Sequence, residues 1–364
     1  MKFVDLKKQY NNYKSEIDDA IKNVIENTAF INGPDVKELE KELAAFSGSS
    51  NAIGCSSGTD ALVIPMMAFG IKPGDEVIVP AFTFIATAET VSFLGAKPVF
   101  ADIDPVTFNI DPKEIERKIT DKTKGIIPVS LYGQCADFDE INKIAKDHNL
   151  WVIEDGAQSF GAEYKNKKSC SLTNVGTTSF FPAKPLGCFG DGGAVFTDDN
   201  ELASKMRMIL NHGQEKRYRH KYIGINGRLD TIQAAVVRVK LKYFSDEIKL
   251  RNKAAQTYST NLSDIAEIPE ILAHNRSTWA QYTIRVKKRD ELQDFLKTKN
   301  IPTAVHYPVP LYRQEAFGNL KESPDNFPVS EKLSNEVMSL PMHPFLEKDD
   351  ILYICSAVKE FYNG

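Results

Sequence analysis

Long hydrophobic runs are missing from this sequence. A membrane-spanning helix needs roughly 20 consecutive apolar residues, whereas the longest apolar runs here have the length of β-strands. The first eight residues, Met-Lys-Phe-Val-Asp-Leu-Lys-Lys, also lack the apolar core of a signal peptide. We therefore expect a cytoplasmic protein that does not enter a membrane.

An excess of one charge is missing too. The chain has 45 Lys and Arg against 49 Asp and Glu, a net charge of -4, and both signs are spread along its length. Such a distribution gives no basic surface for nucleic acid or for an anionic membrane. The 364 residues, 42% hydrophobic and 26% charged, predict an ordinary globular protein with a large α/β domain and a smaller second domain.

Cysteine is scarce and scattered. Its five positions are odd in number and never have Cys-x-x-Cys spacing, which argues against a disulfide framework and against a zinc site. We expect no metal, and reduced, mostly buried thiols at these positions: Cys55, Cys135, Cys170, Cys188 and Cys355.

What is present is a regular alternation of strand-like and helix-like segments, after an amphipathic helix at 14–27. Short connections favour right-handed crossovers in one sheet, so the predicted fold class is α/β, with a mostly parallel sheet and helices on both faces. Beyond residue 260 short elements and turns rich in proline and histidine predict a smaller α+β domain, and we divide the chain into 1–245 and 246–364. Strands are predicted at 76–81, 98–101, 125–131, 151–154 and 282–286, and helices at 83–94, 112–119, 138–148, 200–211, 231–259, 290–299 and 330–337.

Polar clusters follow three of the predicted strands. They are Ser57 to Asp60, Phe82 with Thr83, and Asp155 to Ser159. Parallel sheets bind ligands at the carboxyl ends of their strands. The first cluster joins a strand to a helix, so its free N–H groups suit an anion such as a phosphate, although such a motif taken alone is more often a simple helix N-cap.

The aspartate of the third cluster directly follows a buried strand. An unpaired charge there is costly, so Asp155 is expected to meet a cation. A protonated pyridine nitrogen of pyridoxal phosphate (PLP) is one such cation, with Gln158 near the same ligand and Phe82 against its ring. A helix cap or a structural ion pair is the alternative.

A lysine stands between two prolines in the stretch from Thr177 to Phe196. Pro182 and Pro185 stiffen the loop that presents Lys184. Burial lowers the pKa of an amine, and the neutral form condenses with an aldehyde to a Schiff base. A surface lysine in a hairpin connection is the alternative.

An arginine beside a turn glycine precedes the helix at 231–259. The Arg228 guanidinium can fork onto a carboxylate or a phosphate, and an intramolecular salt bridge is the alternative. The basic stretch at 215–222 before it is predicted to be a mobile loop.

Taken together, the motifs resemble one family. They occur in one order over nearly the whole chain, which is similar to the nucleotide-sugar aminotransferases of the DegT/DnrJ/StrS family, PLP enzymes of fold type I with the aspartate aminotransferase fold. The motifs are Ser57-Gly58-Thr59-Asp60, Glu154-Asp155-Gly156-Ala157-Gln158-Ser159, Ser179-Phe-Phe-Pro-Ala-Lys184, Gly190-Asp-Gly-Gly193, Asn226-Gly-Arg228-Leu-Asp and His306-Tyr307-Pro308.

The resemblance assigns roles at the cofactor. It makes Lys184 the residue that binds PLP covalently and later shuttles the proton between substrate carbon and cofactor. Asp155 would pair with the pyridine nitrogen and Gln158 would approach the ring hydroxyl. Phe82 would stack on the ring.

The resemblance also implies a phosphate site and an assembly. In this family Asn226 reaches the phosphate of the neighbouring subunit's cofactor, which implies a homodimer with active sites at the interface. The phosphate itself would be held by Gly58, Thr59 and Ser179.

Within the family, the chain is most similar to enzymes of bacterial surface polysaccharide pathways. They aminate UDP-2-acetamido-2-deoxy-3-oxo-D-glucuronate with L-glutamate as donor. By position, Arg228, His306 and Tyr307 would recognise the sugar's carboxylate, which suits a planar guanidinium. Another 3- or 4-keto sugar nucleotide is the alternative substrate.

Three other functions compete with this one. A PLP-dependent sugar dehydratase of the same fold carries histidine at the position of Lys184, which argues against it. A catalytically silent sensor or regulatory protein would have lost a cofactor contact. A nicotinamide-dependent oxidoreductase needs Gly-x-Gly-x-x-Gly at the start of a helix, which Gly190-Asp-Gly-Gly193 does not provide.

Overall fold

A computed structural model describes residues 1–363. Its helices are α1 Leu6–Glu26, α2 Pro34–Ser47, α3 Gly58–Phe69, α4 Ala86–Phe93, α5 Pro112–Lys118, α6 Phe138–Asp147, α7 Asn200–Ile209, α8 Thr231–Leu262, α9 Arg289–Thr298, α10 Pro328–Glu336 and α11 Lys348–Asn363. Its strands are β1 Asn51–Cys55, β2 Glu76–Pro80, β3 Lys97–Ala101, β4 Thr123–Ile126, β5 Trp151–Asp155, β6 Glu163–Tyr164, β7 Lys167–Lys168, β8 Val175–Ser179, β9 Gly193–Thr197, β10 Gln214–Lys216, β11 Arg219–His220, β12 Asn275–Arg276, β13 Tyr282–Arg285 and β14 Val337–Leu340.

A seven-stranded sheet with the order β1-β9-β8-β5-β4-β2-β3 forms the centre of the molecule. All of its strands run in one direction except β9, which is antiparallel to both neighbours. Alternate side chains of β2 enter different cores: Val77 and Val79 pack in a cluster with α3, α4 and α7, and Ile78 packs with α5 and α6. Helices therefore cover both faces, and this explains why the strand is an uninterrupted apolar run.

The helix α8 connects this sheet to a second core. Its first half packs against α1 and α2 through residues such as Val236 and Val237. Its second half, from Ala254, belongs to a separate cluster with α9, α11 and the antiparallel pair β13 and β14. The proposed domain boundary between residues 245 and 246 lies inside this helix, and it stays a prediction.

Several elements differ from those predicted. The strand expected at 125–131 ends at Ile126, because Pro128 cannot donate to a neighbouring strand, and a short 3₁₀ turn follows at Leu131–Gly133. Residues 215–222, predicted to be a loop, include an exposed hairpin of β10 and β11. The first helix starts at Leu6 instead of residue 14, and neither α11 nor β14 was predicted.

The described residues bear on three expectations. Each of the five cysteines is free and buried, as predicted. In residues 1–363 no helix has the length and apolar character needed to cross a membrane. The same residues contain no group of three or more His, Cys, Asp or Glu side chains that could hold a metal ion.

Candidate active site

The carboxyl ends of the parallel strands bring the predicted residues to one edge of the sheet. The turn from Ser57 follows β1, Phe82 follows β2, Asp155 ends β5 and Ser179 ends β8. Because β5 and β8 are neighbours in the sheet, Asp155 lies across from Thr177, two residues before Ser179. The three clusters singled out in the sequence thus share one edge.

The turn after β1 begins α3. Ser57 is the N-cap, and its Oγ accepts a hydrogen bond of 3.0 Å from the N–H of Asp60. The N–H groups of Gly58 and Thr59 have no partner within the helix, since the first N–H groups of a helix never do. A Cβ added at Gly58 would lie 2.6 Å from the Cβ of Ser179, so glycine allows the helix to begin directly beside the end of β8. The turn is therefore both an N-cap and a donor group suited to an anion.

Asp155 is only 6% exposed and its carboxylate is oriented by two donors. Thr87 Oγ1 donates to Oδ2 over 2.9 Å and the N–H of Ala157 donates to Oδ1 over 3.2 Å. Burial raises the pKa of Asp155, while these hydrogen bonds and the charge of Lys184 oppose the rise. In the described chain Asp155 forms no ion pair within 4.0 Å, so a structural ion pair does not explain it. Its surroundings favour a cation placed against the carboxylate.

Two hydrogen bonds hold the Lys184 loop in place. The N–H of Lys184 donates to the carbonyl of Phe181 over 2.8 Å, and Lys240, buried in α8, donates from Nζ to the carbonyl of Gly187 over 2.7 Å. Lys184 is itself half-buried, and its side chain has no hydrogen bond or ion pair in residues 1–363. Burial lowers the pKa of this amine, with the charge of Asp155 opposing. Its partly buried amine at the sheet edge does not have the surroundings of a solvated surface lysine.

Gln158 links the sheet edge to the segment that contains His306 and Tyr307. Its Oε1 accepts from the N–H of Tyr132 over 2.9 Å and its Nε2 donates to the hydroxyl of Tyr307 over 3.0 Å. The ring of Tyr307 in turn meets the buried ring of Phe82 edge-on, with centroids 6.1 Å apart. Burial is the main cause that raises the pKa of Tyr307, and the charge of Asp155 adds to it.

His306 lies beside Tyr307 and near Lys184. Burial and the positive charge of Lys184 lower the pKa of His306 to about 4, so the imidazole is neutral at pH 7. The structure therefore brings together nearly all the predicted residues: Gly58, Thr59, Phe82, Asp155, Gln158, Ser179, Lys184, His306 and Tyr307.

Asn226 and Arg228 are placed differently. Asn226 is exposed, and Arg228 forms a backbone bridge to Cys55 at the free edge of β1. Arg228 Nη1 donates to Asn211 Oδ1 over 2.6 Å, while its buried Nε has no partner in the described chain. Within residues 1–363 Arg228 forms no salt bridge, and neither residue hydrogen-bonds to the groups around Lys184.

Residues that the sequence analysis missed hold the site together. They are Thr87, which orients Asp155, Tyr132, which contacts Gln158, and Lys240, which fixes the Lys184 loop. Thr87 lies in the first turn of the helix after the Phe82 cluster, and this position beside a predicted ligand site could have identified it from the sequence. Tyr132 and Lys240 have no comparable local signature.

The site fits pyridoxal phosphate on the chemistry of its donors and acceptors. The helix start at Gly58 and Thr59, beside Ser179, would hold the phosphate. Asp155 offers a buried carboxylate to the ring nitrogen, and Lys184 offers an amine to the aldehyde.

Comparisons with known proteins agree with this geometry. Residues 11–359 match the model of the DegT/DnrJ/EryC1/StrS aminotransferase family. The chain is 53% identical, over 98% of its length and 99% of the relative, to the UDP-2-acetamido-2-deoxy-3-oxo-D-glucuronate aminotransferase of Pseudomonas aeruginosa. It is also 47% identical, over 99% of its length and 98% of the relative, to the pleiotropic regulatory protein of Geobacillus stearothermophilus.

The fold has close counterparts among solved structures. DesV of Streptomyces venezuelae, in complex with a ketimine intermediate, has a TM-score of 0.98 and 38% identity, covering 100% of this chain and 98% of that one. Other structures of this fold are PLP or pyridoxamine phosphate (PMP) forms, and PLP is the cofactor of this chain as well. The chain is an aminotransferase, and it belongs to the DegT/DnrJ/EryC1/StrS aminotransferase family.

Proposed function

We propose that this enzyme moves the amino group of L-glutamate to UDP-2-acetamido-2-deoxy-3-oxo-D-glucuronate and so makes a 3-amino sugar for bacterial surface polysaccharide such as O-antigen. The observation that carries the proposal is the 53% identity, over the full length, to an aminotransferase named for that sugar. The five unpaired thiols suit a reducing compartment, so we place the enzyme in the cytoplasm.

The residues at the sheet edge divide the chemistry between them. When bound, PLP supplies an aldehyde for the amine and a ring that takes up the electrons of the broken bond. Lys184 Nζ would bond to the cofactor, and once released it would move the proton at the substrate carbon; its lowered pKa supports the role of base. Asp155 would keep the ring nitrogen protonated, Gln158 would hydrogen-bond the ring hydroxyl and Phe82 would cover the ring.

We propose that the sugar is bound by Arg228, His306 and Tyr307. Of these three side chains, only that of Arg228 is charged at pH 7. A guanidinium can hold a carboxylate with two parallel hydrogen bonds. Its buried, unpartnered Nε supports a role beyond packing, because such a donor is costly unless a ligand uses it.

The enzyme is proposed to act as a homodimer. Asn226 and Arg228 do not hydrogen-bond to the groups around their own Lys184, so they would serve the site of a second copy, with Asn226 at its phosphate. Two large apolar side chains of the Lys184 loop, Phe181 and Phe189, support an interface there, because they are exposed on the single chain.

An amino-acceptor screen tests the substrate. The PLP-loaded enzyme is supplied with L-glutamate and either the 3-oxo-glucuronate nucleotide, its neutral 3-oxo counterpart with CH₂OH in place of the carboxylate, or a 4-keto-6-deoxy sugar nucleotide, and 2-oxoglutarate is measured. We expect kcat/KM for the uronate to exceed the others by at least about tenfold, as a hydrogen-bonded charge pair provides. Equal rates with the neutral sugar would contradict the assignment, and activity of Lys184→Ala would contradict the mechanism.

A simpler observation separates an enzyme from a regulatory protein that keeps the fold. The yellow absorbance of the PLP-bound enzyme should bleach when excess L-glutamate is added. A silent protein would keep its colour.

Mixed dimers test the shared site. Lys184→Ala should be inactive and Arg228→Ala should be impaired at least about tenfold, but a mixed dimer contains one site with both native residues if Arg228 acts across the interface. Random reassortment makes about a quarter of all sites intact, so about a quarter of the native activity should return. If mixing restores nothing, Arg228 acts within its own chain.

A further inference from the structure

Positive charge is concentrated in the short hairpin that precedes Asn226 and Arg228. Strands β10 and β11 form this hairpin, and we call residues 214–221 the basic hairpin. It has a single acidic side chain, Glu215, and its Lys and Arg side chains are all exposed. They are Lys216, Arg217, Arg219 and Lys221. The core and the cofactor site described above use none of these four side chains.

Most of these cations have no acidic partner. Lys221 Nζ lies 3.8 Å from a carboxylate oxygen of Glu215. In residues 1–363 no carboxylate lies within 4.0 Å of Lys216, Arg217 or Arg219. Lys216 and Arg219 are direct cross-strand partners, so their side chains leave the same face of the hairpin. Like charges directly opposite each other are destabilising, and an anion bound between them would remove this cost.

A guanidinium occupies the tip of the hairpin. Arg217 lies over the ring of Tyr218, 5.1 Å from its centroid, and Nη2 donates to the tyrosine hydroxyl over 3.3 Å. Tyr218 is itself 79% exposed, so this contact does not bury the guanidinium. A guanidinium presents its N–H groups in a planar fork that matches the oxygens of a phosphate. The tip is therefore suited to a phosphate group.

The base of the hairpin is fixed to the segment that carries Asn226. The N–H of His212 donates to the carbonyl of Ile225 over 2.8 Å. The two sides approach closely at a glycine, because a Cβ at Gly213 would lie 1.8 Å from the carbonyl oxygen of Tyr222. The basic hairpin and Asn226 thus form one unit, and the hairpin lies beside whatever site Asn226 serves.

We propose that the basic hairpin binds the pyrophosphate of the keto-sugar nucleotide in the active site of a second copy of the chain. The inference rests on the proposed function, in which Asn226 and Arg228 serve that site. Arg228 is then committed to the sugar's carboxylate and Lys184 to the cofactor, so the pyrophosphate needs other cations. The unpaired cations of the hairpin supply them, and Arg217 and Arg219 can each hold a phosphate with two hydrogen bonds.

A titration with UDP tests this site without any sugar. The PLP-loaded enzyme is titrated calorimetrically in its native form and as the hairpin variant, which combines Lys216→Gln with Arg219→Gln. We expect the Kd of UDP to be at least about tenfold higher in the hairpin variant, the effect of losing a hydrogen-bonded charge. Added salt should weaken UDP binding less in the hairpin variant than in the native enzyme, because fewer charges are left to screen.

The matched control removes the same amount of charge elsewhere. Lys143 and Lys146 are exposed on α6, so Lys143→Gln combined with Lys146→Gln changes the net charge as the hairpin variant does. The Kd of UDP should stay at the native value in this control. An equal rise in both variants would mean that only the overall charge matters, and the assignment to the hairpin would be wrong.

Kinetics separates nucleotide binding from the chemistry at the cofactor. The hairpin variant should have a KM for the keto-sugar nucleotide at least about tenfold above the native value. The rate of its glutamate half-reaction, which involves no nucleotide, should stay native and shows that the variant is folded and holds PLP. If both reactions slow by the same factor, the hairpin has a structural role only.

Mixed dimers test which site the hairpin serves. When the hairpin variant is mixed with Lys184→Ala, each mixed dimer has one native Lys184, and the other copy carries the native hairpin. At nucleotide concentrations well below the KM of the hairpin variant, activity should therefore exceed that of the hairpin variant alone. If mixing gives no increase, the hairpin does not act in the site of the second copy.

The outcomes distinguish this inference from the proposed function. If neither UDP nor dTDP, which has the same pyrophosphate, binds more weakly to the hairpin variant, the inference is wrong. If only dTDP binding depends on the hairpin, the inference holds and the UDP of the proposed substrate is wrong. If the 3-oxo-glucuronate nucleotide is not aminated, the proposed function fails, while the two titrations still decide the role of the hairpin.

Discussion

Replacing Asp155 with asparagine separates the charge of this residue from its shape. In the native protein the N–H of Ala157 lies 3.2 Å from the carboxylate, and it can still donate to the asparagine Oδ1. Its amide can face Thr87, whose hydroxyl accepts as readily as it donates. The local hydrogen bonds survive, so a loss of activity in Asp155→Asn would come from the missing charge.

The expected loss follows from the pairing with the ring nitrogen. A hydrogen bond to a charged group contributes about 1.5–3 kcal/mol, and about 1.4 kcal/mol corresponds to a factor of ten in rate. We therefore expect the rate of the glutamate half-reaction to fall by up to about 100-fold. Burial raises the pKa of Asp155, so its ionised form is unfavourable in the protein without cofactor, and the substituted apoprotein should be at least as stable as the native one.

A neighbouring carboxylate provides the control. Glu154 is completely buried, but it accepts from Ser169 Oγ over 2.6 Å and from the N–H of Cys170 over 2.7 Å, away from the Lys184 loop. Burial raises the pKa of Glu154 to about 7, so the neutral Glu154→Gln is a mild change and should retain most of the rate. Stopped-flow absorbance after mixing PLP-loaded enzyme with L-glutamate measures both variants. If Asp155→Asn is as fast as Glu154→Gln, the ring nitrogen does not need this carboxylate.

Two further substitutions test the turn at Gly58 and the buried histidine His343. Gly58→Ala places a Cβ 2.6 Å from Ser179 and should weaken PLP binding at least about tenfold in a spectroscopic titration. The control is Gly318→Ala, whose added Cβ has no atom within 4 Å and should leave the affinity for PLP unchanged. Equal affinities of the two variants would contradict a phosphate site at Gly58. Burial lowers the pKa of His343 from 6.5 to about 4, so the unfolded chain binds this proton first as the pH falls, and the free energy of unfolding should drop by up to about 3 kcal/mol across that range. Urea unfolding at pH 6.5 and at about pH 4 measures this change, and the free energy of unfolding of His343→Leu should fall by less than that of the native enzyme. An identical fall would exclude His343 as the cause.

The sequence was sufficient for the residues that follow strands. Asp155 comes directly after an apolar run and Ser57 opens a helix, and the carboxyl ends of parallel strands always meet at one edge. Lys184 is a different case, because its position depends on where the loop after β8 turns. That turn is fixed by Lys240, 56 residues further along, through a buried hydrogen bond that no local pattern indicates.

The direction of β9 was also beyond the sequence. A short apolar strand after a glycine-rich turn fits a parallel or an antiparallel position equally well. The strand is antiparallel to β1, and the structure shows why it begins with glycine: Gly193 faces the carbonyl of Ser57, and a Cβ there would lie 2.5 Å from that oxygen. The first residue of β9 thus lies against the turn that follows β1, although the two segments are more than 130 residues apart in the sequence.

The two halves of the site come from different cores, and this separation has a consequence for substrate choice. Lys184, Asp155 and the phosphate turn belong to the central sheet, whereas His306 is set by Ser339 on β14, next to the second core. Two hydrogen bonds bridge them directly, from Gln158 to Tyr307 and from the Tyr132 hydroxyl to the carbonyl of His306. If His306 binds the sugar as proposed, changes around it alter substrate choice while the cofactor residues keep their geometry. A fold built in this way can exchange one keto-sugar for another without rebuilding its chemistry.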